Sequence, residues 1–409
     1  MLLLYSFGIR LYFLFGFFLK FRNDKIRKWY YGNKNKVAPV LPKSGNKKII
    51  WFHISSLGEY EQAKPVIKRL YKKFDIVITF FSPSGFEHKS VREFTQNVFY
   101  LGKDTAQMAR QNIDHIKPDY FILVKYDFWL NHLFQLEKEN IKSIVISGLF
   151  RPNQIFFKPW GNIFRKGLRT FDHIFLQNQS SKELLAGIGI TKISVNGDTR
   201  VDSVLENVPA ALDKLPQIVK DFAKGHKCLV VGSSYKAEEQ IVLKNLDTCL
   251  IGWKVLIAPH NLNKKHLKEL EISFGSTASF LSKTNDLASH TQVLIIDQIG
   301  LLKYLYAVAD VAFVGGGFGK TVHNTLEPAA FGIPLLFGPN FSKFPEAVEF
   351  VNKKGAFTVS TEYEFKTCIK ELMRSDVQLK AKNTIKEYIN SNRNSIDSIL
   401  MYILSKKII

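Results

Sequence analysis

Cysteine is scarce. Cys228, Cys249 and Cys368 are the three in 409 residues, and none forms a CxxC pair. That excludes a disulfide framework, argues against structural zinc and fits a reducing, cytosolic milieu. The histidines form no HExxH or HxxxH pair, so a metal-independent protein without a resident cofactor is expected. Acidic residues are also short, 36 against 57 Lys and Arg, for a net charge of +21. The excess calls for an acidic partner: nucleic acid, an anionic membrane or a phosphorylated substrate. An apolar fraction of 46% excludes a disordered chain, and the length suits two or three domains.

Long apolar runs are missing, with one exception. The first 21 residues, MLLLYSFGIRLYFLFGFFLKF, are interrupted only by Arg10 and Lys20. A cleaved signal peptide would place its charge before the apolar run, whereas here the basic flank (Lys20, Arg22, Lys25, Arg27, Lys28) follows it. Residues 1–50 hold eleven basic groups and one acid. The flank should stay cytoplasmic. Arg10, mid-run, is costly for a span. Residues 1–30 are therefore expected to anchor the chain to the cytoplasmic face of a membrane, in-plane before single-pass, beside anionic lipid. A buried helix is the bland alternative. A nucleic-acid arm does not follow a Phe/Leu-rich helix, so no nucleic-acid partner is expected.

From residue 48 onward, short β-branched and aromatic runs alternate with helix-length stretches. Strand candidates are 49–54, 75–80, 97–100, 119–125, 142–147, 173–177 and 193–196, then 227–232, 253–258, 293–296, 311–315 and 334–337. This βαβ rhythm predicts parallel sheets. The fold class is α/β, with two doubly wound Rossmann-like domains facing a cleft (GT-B type), at 40–205 and 222–375. A linker with Pro209 and Pro216 is expected over 206–221, and a helical tail over 376–409. Ligands should bind at the strands' carboxyl ends.

Four segments carry candidate chemistry. In WFHISSLGEYEQ (51–62), a strand leads through Ser55, Ser56 and Gly58 to Glu59. Glu59 is either a helix-dipole partner or a general base facing the cleft. In VGGGFGKTVHNTLEP (314–328), Gly316 and Gly317 precede Asn324, Thr325, Leu326 and Glu327. The GKT there is no P-loop, because Val314 stands where a glycine is required. The segment is either a helix cap or a nucleotide site in which Glu327 holds ribose hydroxyls. VVGSSYKAEE (230–239) offers Ser233 and Ser234 at a strand–turn–helix entry, and LIAPHN (256–261) offers Pro259 and His260.

Taken together, these segments resemble the Kdo transferases, which add 3-deoxy-manno-octulosonic acid from CMP-Kdo to the lipid A precursor. The family's HNxLEPAxxGxPxxxGP is HNTLEPAAFGIPLLFGP here (323–339), its SxGE is SLGE (56–59) and its GSTxxGEE is GSSYKAEE (232–239). The resemblance makes Glu59 the base for the acceptor hydroxyl, with Ser55, Ser56 and Gly58 as the acceptor loop. It places donor contacts on Ser233, Ser234, Pro259, His260, Gln298, Ile299, Gly300, Gly316, Gly317 and Asn324–Glu327, and Arg200 in GDTRVD at the leaving phosphate. The family's ETExWPN reads KYDFWLN (125–131) here, which leaves Asp127 as the acid. Its Pro-Arg-His is Pro259-His260-Asn261, and Leu301 stands for a Glu. The implied activity is inverting transfer of Kdo to lipid IVA in lipopolysaccharide synthesis, with the acceptor on the first domain and CMP-Kdo on the second. Two alternatives remain open at this point: another GT-B transferase with a lipid-linked acceptor, and a basic nucleic-acid-binding module.

Overall fold

The computed structural model describes residues 2–34, 37–41, 46–125, 127–284, 286–288 and 290–405. Met1, Tyr126 of the KYDFWLN segment and residues 406–409 of the expected tail lie outside them. The chain divides into two units, 1–202 with 392–409, and 203–391.

The first unit is built on seven strands: β1 (Ile49–Ile54), β2 (Asp75–Phe80), β3 (Val98–Tyr100), β4 (Tyr120–Val124), β5 (Lys142–Gly148), β6 (His173–Leu176) and β7 (Ile193–Val195). All pair in parallel, in the order β3-β2-β1-β4-β5-β6-β7. Every residue of β1 (IIWFHI) is buried, as a strand covered on both faces requires. Alternate residues feed two cores, Ile50, Phe52 and Ile54 on one face and Ile49 and Trp51 on the other.

The second unit carries β8 (Lys227–Ser234), β9 (Trp253–Pro259), β10 (Ala278–Phe280), β11 (Val293–Ile295), β12 (Val311–Val314), β13 (Leu335–Phe337) and β14 (Ala356–Thr358). They form a second parallel sheet in the order β10-β11-β9-β8-β12-β13-β14. Every strand expected from sequence is present with its ends within two residues. The two edge strands β10 and β14 are additional.

In each sheet the strand order reverses once, between β1 and β4 and between β8 and β12. Open α/β sheets bind ligands outside the carboxyl ends at such a switch point, because the helices on the two sides diverge there.

Two boundaries differ from expectation. The stretch 206–221 is not an open linker: it includes the helix Ala211–Lys214 and most of Gln217–Ala223, and Val219 and Phe222 are buried. Nor is 376–409 a single tail. The helix Ser375–Asn392 ends the second unit, whereas Ser395–Ser405 packs on the first, inserting Ile396, Ile399 and Ile403 into its core.

The apolar run forms the helix Leu2–Leu19, followed by Asp24–Asn33. Ile9, Phe13 and Gly16, one face by their spacing, turn inward. A Cβ at Gly16 would lie 2.4 Å from the Trp29 ring, so only glycine permits this approach. The other face is exposed apolar surface, with Leu3 87%, Phe15 66% and Phe18 61% accessible. The helix docks through Tyr5, whose hydroxyl donates to buried Asp104 at 2.7 Å.

Candidate functional site

Glu59 and Asp127 follow β1 and β4, the two strands flanking the first sheet's reversal. Glu59 is the third residue of the helix Leu57–Leu70. Its Oε2 accepts from the backbone N–H groups of Ser55 at 2.6 Å and Ser56 at 3.1 Å. Both capping bonds go to one oxygen, and Oε1 has no hydrogen bond among the described residues. The capping role and the chemical role expected as alternatives are thus compatible in one carboxylate. Burial first, then the negative charge of Asp127, push the Glu59 carboxyl up to about 7, against the opposing charge of Lys125 and the two N–H donors. A carboxylate near neutrality is suited to take a proton.

Asp127 accepts the hydroxyl of Ser55. Burial raises its carboxyl, and the Ser55 and Trp129 hydrogen bonds oppose that rise. The segment is held by a network that sequence inspection missed. Trp129 Nε1–H donates to His53 Nε2 at 3.0 Å, His53 Nδ1 meets Thr79 Oγ1 at 3.0 Å, and Trp51 Nε1–H donates to that same hydroxyl at 2.8 Å. Burial and then the neighbouring His132 lower His53 to about 3, so the ring is neutral and can accept. A lone histidine in an apolar strand gives no sign of this; only the adjacency of β1, β2 and β4 brings the partners together.

Arg200 is the second residue of the helix Thr199–Leu205, whose first residue, Thr199, donates to the carbonyl of Gln62, one turn beyond Glu59. The guanidinium is clamped on Asp198, with NH2 to Oδ2 at 2.6 Å. Arg200 therefore lies beside the helix of Glu59 with its charge already partnered.

The donor candidates all lie in the second unit, at the carboxyl ends of β8 and β9 and in the segments that follow β9, β11 and β12. Ser233 takes a left-handed backbone, φ 51°, at the end of β8. Ser234 is buried and donates to Glu239 at 2.8 Å. Tyr235, His260 and His323 stack face to face, with the two imidazoles 4.5 Å apart. The loop Gln298, Ile299 and Gly300 is exposed, Ile299 at 93%. Asn324 accepts from Leu326 N–H and donates to Glu327 at 3.1 Å.

The glycine turn serves packing more directly than expected. The N–H of Gly316 is held by Glu238 Oε1 at 2.8 Å. A Cβ on Gly315 would strike the Ser233 carbonyl, and one on Gly317 would strike Gly338. Gly316 and Gly317 are buried, Thr325 is buried with no partner for its hydroxyl among the described residues, and Leu326 is core. Pro259 is buried as well, at the end of β9. Of the polar donor candidates, His260, Gln298 and Asn324 are exposed, and Ser233 and Glu327 are half-buried. Glu238, noted in the sequence only as part of a motif, is what positions the turn.

Of the five basic groups after the apolar run, three are engaged. Lys20 is buried over the Phe17 ring and donates to Tyr31, Arg27 pairs with Asp24, and Lys28 pairs with Glu87. Arg22 and Lys25 have no ion pair among the described residues.

Residues 29–203 match the family model described as 3-deoxy-D-manno-octulosonic-acid transferase (kdotransferase). The chain is 26% identical to the 3-deoxy-D-manno-octulosonic acid transferase of Aquifex aeolicus, covering 83% of this chain and 90% of that one. It is 26% identical to the Haemophilus influenzae transferase of the same name (91% and 89% covered) and 29% identical to that of Chlamydophila psittaci (78% and 75%). Among solved structures, UDP-GlcNAc 2-epimerase from Neisseria meningitidis, bound to UDP-GlcNAc, superposes with a TM-score of 0.58 at 17% identity, covering 88% of this chain and all of that one. At that identity the likeness speaks for the fold alone.

Proposed function

We propose, from the kdotransferase family-model match over residues 29–203 and the 26–29% identity to Kdo transferases over most of the chain, that this chain is a Kdo glycosyltransferase of lipopolysaccharide synthesis and moves Kdo from CMP-Kdo to the lipid A precursor, lipid IVA, with inversion. Glu59 Oε1 takes the proton of the acceptor hydroxyl. The acceptor oxygen bonds to the anomeric carbon of Kdo while the bond to the phosphate oxygen breaks on the opposite face, and CMP leaves with the electron pair. One base suffices for such a displacement.

The observation that carries this reading is the state of Glu59: anchored through one oxygen, open at the other, and poised near neutrality at a switch point. Asp127 keeps the Ser55 loop in place and raises the affinity of Glu59 for the proton. Arg200 is assigned to the developing phosphate charge, and no metal is invoked. The first unit takes the acceptor, and the second takes CMP-Kdo at the Tyr235–His260–His323 stack and the Asn324–Glu327 turn. The helix Leu2–Leu19 lies in the membrane interface, since its inner face is committed to the protein and its outer face is apolar. Arg22 and Lys25 meet anionic lipid on the cytoplasmic leaflet, and nucleic acid is not a partner.

The test is mass spectrometry of the acceptor after incubation with CMP-Kdo, using the wild-type chain and Glu59→Gln. The acceptor gains the mass of Kdo with the wild type and gains little with the variant. An unmodified wild-type product, or brisk turnover by Glu59→Gln, overturns the assignment.

A further inference from the structure

Between the first two helices and the end of β2 lies a groove of about 340 Å³, walled by Tyr12, Phe15, Leu19, Ile26, Trp29 and Phe81. We propose that it seats one acyl chain of the lipid acceptor and thereby selects acceptors by their acylation; this rests on the lipid-acceptor reading above. The size lies at the small end of ligand sites, which run from roughly 300 to 1,000 Å³. A sugar or nucleotide placed there would leave its hydroxyls without partners, whereas hydrocarbon would not.

Charge and continuity identify the occupant. Lys25 lines the groove, and its ammonium has no ion pair among the described residues, so a phosphorylated head group finds a cation at the rim. The walls also run directly into the candidate catalytic loop. Ser82, which follows Phe81, donates its N–H to the carbonyl of Ser55 at 2.9 Å. The Phe81 ring packs on Trp129 with centroids 4.5 Å apart, and the charge of Asp127 acts on the Tyr12 hydroxyl. A chain in the groove therefore has its head group next to the loop that holds Glu59. A bilayer phospholipid would gain nothing from that adjacency, but an acceptor would gain orientation. The outer edges of Phe15 and Leu19 are exposed, 66% and 45%, so the groove opens on the apolar face of the first helix, and an acyl chain can enter without crossing water.

Transfer to lipid IVA and to the same disaccharide stripped of its acyl chains, by wild type and Ile26→Trp, tests this. The added indole fills the groove. The wild type should favour the acylated acceptor in kcat/KM. Ile26→Trp should lose about tenfold or more on it, about 1.4 kcal/mol, and keep its rate on the stripped one. An equal effect on both acceptors, or none, overturns the proposal. Independently of that variant, lipid IVA carrying a diazirine on an acyl chain should cross-link the wild-type chain within residues 12–29 and 81–83. Cross-links confined to other segments, or labelling abolished by anionic phospholipid vesicles but not by excess lipid IVA, also overturn it. Failure of the wild type to transfer Kdo to either acceptor refutes the parent reading instead, and the cross-link still reports on the groove.

Discussion

The hydroxyl of Ser55 donates to the carboxylate of Asp127, 72 residues further along the chain. The backbone N–H of the same serine is held by Glu59. One residue thus joins the ends of β1 and β4 and couples the two acids of the first unit.

That coupling has a titration consequence. The kcat/KM profile should rise through about pH 7 as Glu59 loses its proton. Asp127→Asn removes a negative charge that raises the Glu59 carboxyl, so the rising limb should move to lower pH. A limb that stays in place in this variant would sink the link between the two acids.

Glu59→Gln separates catalysis from stability. Loss of a positioned base lowers rates by roughly 10²–10⁴. The folded-state value near 7 lies above the ordinary 4.5, so the folded chain binds more protons between them. Wild-type stability then falls as pH rises across that window, while the variant escapes the fall and keeps an amide oxygen for the Ser55 and Ser56 N–H groups. Urea midpoints taken near both ends of the window should differ for wild type and coincide for the variant.

Tyr5→Phe addresses the docking of the first helix. Its hydroxyl donates to Asp104, which also accepts from His132 Nδ1 at 2.5 Å and from the Asn131 N–H at 3.0 Å. Burial alone would raise this carboxyl, yet the His132 and Tyr5 hydrogen bonds hold it below its usual value. Removing one donor to a buried carboxylate costs about 1.5–3 kcal/mol. Limited proteolysis should therefore cut between residues 2 and 33 faster in the variant, and an unchanged cutting rate would show that Tyr5 does not secure the helix.

Donor choice is open to a thermal-shift comparison. If the second unit takes a CMP sugar, CMP should raise Tm more than UDP does. His260→Ala removes a ring from the Tyr235–His260–His323 stack and should weaken CMP by about tenfold, or about 1.4 kcal/mol. Equal shifts with both nucleotides would favour a different donor.

The α/β class and the strand series were readable from sequence because buried parallel strands such as IIWFHI are uniformly apolar. β10 and β14 were not, since three residues at a sheet edge show no period. The place of Glu59 after a strand was readable, but which of its oxygens the capping N–H groups hold was not. The His53–Trp129 and Ser55–Asp127 contacts depend on which strands lie side by side, and local sequence does not carry strand order. The spacing of Ile396, Ile399 and Ile403 marks an apolar helix face, yet nothing local says that it fills a core made by residues between Ile50 and Phe175, or that Asp202, almost two hundred residues earlier, accepts the N–H of Ile396 at 2.8 Å.

The return of the helix Ser395–Ser405 to the first unit bears on how the chain comes off the ribosome. The seven strands of that unit are synthesised before residue 196. Their core stays open on one side until residues 396–403 emerge, after the whole second unit has been made. The candidate carboxylates Glu59 and Asp127 therefore wait on translation of residues 396–403. A nascent chain stalled at Ser391 would present an unfilled apolar surface to chaperones rather than an early, independently folded first unit.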